Sequence, residues 1–124
     1  MKISFKVKGE PKTWGNKEWG WRESIAKEVR KKCKGSFNVK NDTRFCVTIK
    51  IFKKNHLKMN DLDNLAKPIL DTIFDEKPRS EKAKNPTGQL FEKISDERIT
   101  KLIVQKESPK NNEEGAEIEI SWDS

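Results

Sequence analysis

The stretch MNDLDNLAKPILDTIF, residues 59–74, contains three aspartates, Asp61, Asp63 and Asp71, in a chain whose formal net charge is +7. Asp61 and Asp63 are two residues apart where a loop is expected to run into a helix, and Asp96 precedes a later predicted strand. If the sheet brings that strand beside the helix start, the three carboxylates repel one another unless a cation compensates them. Carboxylate oxygens favour hard ions such as Mg²⁺ or Mn²⁺. Asp61, Asp63 and Asp96 are therefore candidate metal ligands.

The same residues also have a purely structural interpretation. Asp63 is a good N-cap residue, worth about 1 kcal/mol, and Asp61 can favour the positive end of a helix. Asp71 lies four residues after Lys67, which predicts an ion pair worth a few tenths of a kcal/mol. Lys67 is either a surface lysine or, one turn from Asp63, a group that holds a phosphate beside a bound metal. The spacing alone leaves both interpretations open.

The elements that must position these residues follow from hydrophobic periodicity. Alternation of apolar and polar residues predicts four strands, over 2–8, 44–52, 99–107 and 115–123. Apolar residues that recur every fourth position predict a first helix over 21–33. The residues on its apolar face are Trp21, Ile25, Val29 and Cys33, and Gly35 is expected to end it.

A second helix is predicted in the stretch that carries the aspartates, with Asn64, Lys67 and Asp71 on its polar side. Since proline is tolerated in the first turn of a helix but not in its interior, Pro68 predicts that the helix starts near 63–65 and that the backbone at Asp63 is not yet helical.

The segment 75–91 is rich in turn-forming and charged residues and is predicted to be an inserted mobile surface loop. The predicted order, strand, helix, strand, helix, strand, strand, indicates one α/β (α+β) domain over residues 1–124, a mixed sheet packed with two helices.

Composition narrows the classes of function. A pI near 9.4 and 27 Lys+Arg against 20 Asp+Glu favour a polyanionic partner, nucleic acid first. The N-terminal residues alternate and do not resemble a signal peptide, and no apolar run is long enough for a membrane span, so a cytoplasmic location is expected. Cys33, Cys46 and His56 lack the spacing of a zinc site or a Cys/His nucleophile, which predicts reduced, partly buried thiols and a solvated histidine.

The run DLDNLAKPILDTIF, followed later by SDERI, resembles the RusA family of Holliday junction resolvases, small bacterial endonucleases often carried by prophages. The matching pattern is D-x-D-N-x-x-K-x-x-L-D, formed here by Asp61, Asp63, Asn64, Lys67, Leu70 and Asp71. Family members often have two consecutive acids before the later strand, whereas this chain has Ser95 and Asp96 there. The distance from Asp71 to Asp96 is also longer than the family usually shows, by the length of the 75–91 loop.

The resemblance implies a homodimer with two Mg²⁺-dependent sites that nick opposed strands of a four-way DNA junction. Mn²⁺ is expected to substitute for Mg²⁺. It implies that Asp61, Asp63 and Asp96 are metal ligands and that Lys67 is the catalytic or phosphate-contacting lysine. Asn64, Asp71 and Glu97 are secondary candidates, with Glu97 a substitute for Asp96.

Lysines on two predicted loops are candidate phosphate contacts, which predicts strongly salt-dependent DNA binding. They are Lys12, Lys17, Lys53, Lys54 and Lys58, together with Lys67. Trp14, Trp19 and Trp21 are candidates for base stacking or for core or dimer packing. Two alternatives to the junction endonuclease remain: a non-catalytic basic nucleic-acid-binding protein, and a related nuclease that acts on flaps or other branched DNA.

Overall fold

The computed structural model describes residues 1–13, 17–32, 39–40, 42–54, 62–75, 91–92, 94 and 96–123. In chain order the elements are β1 (Lys2–Lys8), α1 (Trp19–Lys32), β2 (Phe45–Phe52), α2 (Leu62–Ile73), β3 (Phe74–Asp75), β4 (Phe91–Glu92), a 3-10 turn (Asp96–Arg98), β5 (Ile99–Glu107), a second 3-10 turn (Lys110–Asn112) and β6 (Gly115–Trp122). The predicted α+β class and the predicted order of the main elements are confirmed, and β3 and β4 are short additions to that order.

A four-stranded mixed sheet runs in the order β1-β6-β2-β5. β6 is antiparallel to both β1 and β2, whereas β2 and β5 are parallel. Parallel strands need a crossover connection, and α2 lies in the one that joins β2 to β5. β5 and β6 follow each other in the chain but have β2 between them. Their connection turns through Asn111 and Asn112, at φ 57° and 59°, values that asparagine adopts more readily than most residues.

One face of the sheet forms the core. Ile3, Ile120 and Val47 lie side by side on three adjacent strands, and all are buried. Ile25 of α1 and Ile69 of α2 are fully buried in the same cluster, so both helices cover this face. We call the opposite side of the sheet the open face. Its charges pair across strands, with Lys2 Nζ 2.9 Å from Glu119 Oε1 and Lys6 Nζ 3.5 Å from Glu117 Oε1.

Both helices begin earlier than the sequence predicts. α1 starts at Trp19 and ends at Lys32, while Cys33 and Gly35 lie outside the described residues. α2 starts at Leu62, so the expectation that Asp63 precedes the helix is wrong, and Pro68 lies inside it. Pro68 is buried in the core, and tertiary packing of this kind outweighs a local helix preference. No helix in the described part of the chain is long and apolar enough to cross a membrane.

The prediction that Cys46 is partly buried is also wrong. Cys46 is exposed, because the odd-numbered positions of β2 face the helices and Cys46 is on the open face. Trp21 is in the core and Trp19 is exposed, whereas Trp14, like His56, is outside the described residues.

The predicted 75–91 loop begins and ends in paired backbone. Phe74 pairs with Phe91 and Asp75 with Glu92 in a short parallel ladder of β3 and β4. The two ends of this segment therefore lie next to each other, beside the end of α2. Residues 76–90 lie outside the described residues.

Candidate active site

A stripe of charged residues runs along the solvent side of α2. Asp63, Lys67 and Asp71 are four residues apart, so successive members lie about one turn, or about 6 Å, from each other along the helix axis. Asp63 and Lys67 are exposed, whereas Asp71 is half-buried. We call these three residues the stripe. It places one ammonium group between two carboxylates.

Asp71 lies in a different environment from the surface ion pair that the sequence predicts. Burial raises the pKa of its carboxyl above the usual value. The positive charges of Arg22 and Lys67 act in the opposite direction, and the negative charges of Asp96 and Glu18 add to the increase in pKa. Lys67 thus does stabilise the ionised carboxylate, as its spacing predicts, but desolvation is the larger effect. The raised pKa of Asp71 is therefore mainly an effect of burial, and acidic and basic groups both act on it.

Asp96 reaches α2 at the Asp71 end of the stripe. It is exposed in the 3-10 turn that leads into β5, and its charge acts on Asp71. Asp63 lies two helical turns further towards the N-terminus, about 12 Å along the helix axis. Of the two described ligands, Asp63 and Asp96, Asp96 is the one whose charge acts on Asp71, and Lys67 lies one turn from Asp71.

Arg22 of α1 fixes the two helices together beside Asp71. Its side chain is buried, and Nε donates a hydrogen bond to Thr72 Oγ1 at 3.1 Å. The fully buried Thr72 donates in turn to the Pro68 carbonyl at 2.7 Å. A buried guanidinium is stabilising only when it has such partners. The contact therefore sets the position of a permanent positive charge next to the stripe.

Glu18, at the start of α1, is the last of the charged residues that act on Asp71. Its backbone carbonyl accepts a hydrogen bond from the Arg22 N–H at 2.9 Å, and its carboxylate Oε2 atom is buried. Since the charge of Glu18 raises the pKa of Asp71, the start of α1 faces the C-terminal end of α2.

The predicted metal ligands are only partly described. Asp63 and Asp96 are exposed carboxylates of the type that Mg²⁺ prefers, and Asn64 and Glu97 are exposed beside them. Asp61 lies outside the described residues. Within the part of the chain that the structure describes, no group of three or more acidic, histidine or cysteine residues is placed to hold a metal ion. A cation bound by the predicted set therefore needs Asp61.

Two of the predicted DNA-contacting lysines meet at one glutamate. Lys12 Nζ is 3.1 Å from Glu10 Oε1, and Lys53 Nζ is 3.5 Å from the same atom. Lys53 also donates to the Pro11 carbonyl at 2.6 Å, and only 15% of its side chain is exposed. The hydrogen bond from Lys12 and the charge of Lys53 lower the pKa of Glu10. These lysines hold the segment after β1 against the end of β2.

The other predicted lysines are divided between exposed positions and the part of the chain that is not described. Lys17 and Lys54 are exposed, and the Lys54 backbone N–H donates to Glu114 Oε2 at 2.9 Å. Lys58 lies outside the described residues. Lys17 and Lys54 therefore keep the exposure that a phosphate contact requires.

Sequence reasoning missed Arg22, Thr72 and Glu18. A signal for Arg22 does exist, because it precedes Ile25, Ala26 and Val29 by three, four and seven residues and so falls on the buried face of α1. A charged residue at a core position requires a buried partner. The identity of that partner, 50 residues away, is not readable from the sequence.

A scan of the chain against protein-family models gives no match. A search of curated proteins also gives no match.

Proposed function

We propose that this protein is a Mg²⁺-dependent endodeoxyribonuclease that resolves four-way DNA junctions by paired nicks. The RusA-like run DLDNLAKPILD supports the proposal, because its charged residues within α2, Asp63, Lys67 and Asp71, form one stripe. The single observation that carries it is the approach of Asp96 to that stripe. Asp96, which is distant from α2 in the sequence, thus acts on the Asp71 end of the stripe in a chain of net charge +7.

The chemistry follows from what these side chains can do. A phosphate is repelled by Asp63, Asp71 and Asp96 unless a cation lies between them. Asp63 and Asp96, with Asp61, are the residues that would hold Mg²⁺, or Mn²⁺ in its place. When bound, such an ion makes a water molecule acidic enough to act as a nucleophile and neutralises phosphate charge.

Lys67 has the remaining role in the proposed reaction. Its ammonium group lies one turn from each carboxylate of the stripe and can donate to a non-bridging phosphate oxygen as negative charge accumulates there. Asp71 and Arg22 hold the region around Lys67 in place. DNA approaches over the exposed lysines Lys17 and Lys54, in a cytoplasmic homodimer.

The direct experiment compares nicking of a four-way junction by the unmodified protein and by Asp63→Asn in Mg²⁺. We expect Asp63→Asn to lose nicking while it binds the junction as tightly or more tightly, because a carboxylate that repels phosphate is gone. Asp42→Asn, an identical change at an exposed turn residue, is the matched control and should nick normally. Flap and duplex substrates show whether the junction itself is preferred.

Absence of nicking by the unmodified protein in both Mg²⁺ and Mn²⁺ would instead support the second candidate, a non-catalytic nucleic-acid-binding protein. One observation favours that candidate: the described residues alone provide no group of three acidic, histidine or cysteine side chains that could hold a metal ion. In that case Asp63 acts only at the positive end of α2, and the lysines make the DNA contacts.

A further inference from the structure

The two edge strands of the sheet differ in how they meet solvent. β1 exposes Lys2, Ser4, Lys6 and Lys8 and buries all its apolar residues. β5, at the other edge, exposes 42% of Leu102 and 38% of Ile103. Charged residues are the usual protection of an edge strand against pairing with another chain. β1 has that protection, and the centre of β5 does not.

The exposed pair lies on both sides of the sheet. Leu102 is in register with the buried Val47, so it faces the helix side, whereas Ile103 is in register with Thr48 and is on the open face. A small molecule or a helix would cover only one of these side chains. A strand that pairs with the outer edge of β5 covers both, because its own side chains alternate between the two faces. Among the described residues no strand occupies that edge.

From these observations we propose that the outer edge of β5 pairs antiparallel with β5 of a second copy of this chain, centred on Ile103, to give a continuous eight-stranded sheet. The proposal specifies an interface and does not depend on the nuclease activity.

The sequence of β5 is complementary to itself in this register. Ile103 faces its own copy and Leu102 faces Val104, which places apolar side chains at the centre. Lys101 faces Gln105 and lies diagonally near Glu107, so no two like charges are opposite each other. The same operation on β1, centred on Phe5, sets Lys2 against Lys8. Self-pairing is thus favourable at β5 and opposed at β1.

The net charge of +7 predicts how the association depends on salt. Two copies repel each other at long range, and added salt screens that repulsion. Dimerisation should therefore strengthen as salt is raised, which is the opposite of the salt dependence expected for DNA binding.

The test is sedimentation of the full chain without DNA, over a concentration series. We expect a dimer whose dissociation constant rises on the order of a hundredfold in Ile103→Lys, because two lysines then meet at the two-fold axis. Trp19→Lys removes a similarly exposed apolar side chain from α1 and should leave the dimer unchanged. A monomer at all concentrations, or a dimer that persists in Ile103→Lys, overturns the proposal.

A cross-linking experiment fixes the register independently and keeps the proposal testable if Ile103→Lys does not fold. Ile103→Cys, with Cys33 and Cys46 replaced by serine, should form a disulfide-linked dimer under mild oxidation. Directly opposed residues have Cα atoms about 4.5–5.5 Å apart, within the range of a disulfide. Ser4→Cys at the β1 edge, in the same background, should form no disulfide-linked dimer. Equal cross-linking of the two variants, or none at position 103, contradicts the β5 interface.

Discussion

Two carboxylates illustrate two ways in which this protein uses charge. Glu10 lies between Lys12 and Lys53, and its pKa is lowered. Asp71 is half-buried near Asp96 and Glu18, and its pKa is raised. The first arrangement neutralises charge and holds a loop against the sheet. In the second, burial raises the pKa although Arg22 and Lys67 oppose the increase, and a structural ion pair at the surface does not require such burial.

Perturbed carboxylates of the second kind concentrate at functional sites, because burial and like charges shift pKa values there. The comparison therefore assigns a structural role to the Glu10 region, and the catalytic role of the stripe belongs to the function proposed above. It also separates the predicted lysines: Lys53 is mostly buried by its contacts, whereas Lys67 is exposed.

The largest expected effect is that of Lys67→Met. If Lys67 stabilises charge on the reacting phosphate, nicking of a junction should slow by about 10²–10³-fold with little change in DNA affinity. Lys27→Met, which removes an exposed lysine from α1, is the control and should nick at the normal rate. A loss of affinity without a loss of rate would show that Lys67 only binds DNA.

Arg22→Met should have the largest effect on stability. It removes the buried hydrogen bond to Thr72 and the positive charge beside Asp71, and a buried hydrogen bond to a charged group is worth about 1.5–3 kcal/mol. We expect the free energy of unfolding to fall by about 2–3 kcal/mol in urea denaturation. Arg30→Met on the exposed side of the same helix should change it by about 0.5 kcal/mol or less. Equal effects of the two changes would show that the hydrogen bond from Arg22 to Thr72 does not stabilise the fold.

Asp71→Asn tests the raised pKa through pH. Because the folded state holds the proton of Asp71 more tightly than the unfolded state does, this group favours folding at low pH. That contribution is lost as the pH rises from the usual aspartate pKa of 3.8 through the raised folded value. Asp71→Asn should therefore gain stability relative to the unmodified protein as pH increases towards 7. Asp123→Asn, at an exposed position, should show no such gain.

Glu10→Gln should have the smallest effect. Since the pKa of Glu10 is lowered in the folded protein, its stabilising contribution is present above the usual glutamate pKa and is lost as pH falls through the folded value. For an exposed pair, about 0.5 kcal/mol or less is expected. The change also releases Lys12, while Lys53 keeps its hydrogen bond to the Pro11 carbonyl, so DNA binding at low salt should tighten slightly. Weaker DNA binding would mean that Glu10 organises the lysines for DNA.

The sequence predicts the strands well because each has a two-residue period that a buried face requires. The 99–107 strand is found with its predicted bounds. The start of α2 is predicted wrongly because the local preference of Pro68 is outweighed by its burial. The approach of Asp96 to Asp71 depends on the parallel pairing of β2 with β5, a long-range property that no local pattern reports. The stripe could thus be predicted, and so could the burial of Arg22, but the pairing of Arg22 with Thr72 and the approach of Glu18 could not.

The most direct test of the central claim, that Asp63 and Asp96, with Asp61, hold a cation beside Lys67, is the paramagnetic broadening of backbone amide signals by Mn²⁺. We expect broadening centred on residues 62–67 and 96–98, abolished by Asp63→Asn and absent from the open-face pair Glu117 and Glu119. Broadening that is centred elsewhere, or that is unchanged in Asp63→Asn, would contradict the account.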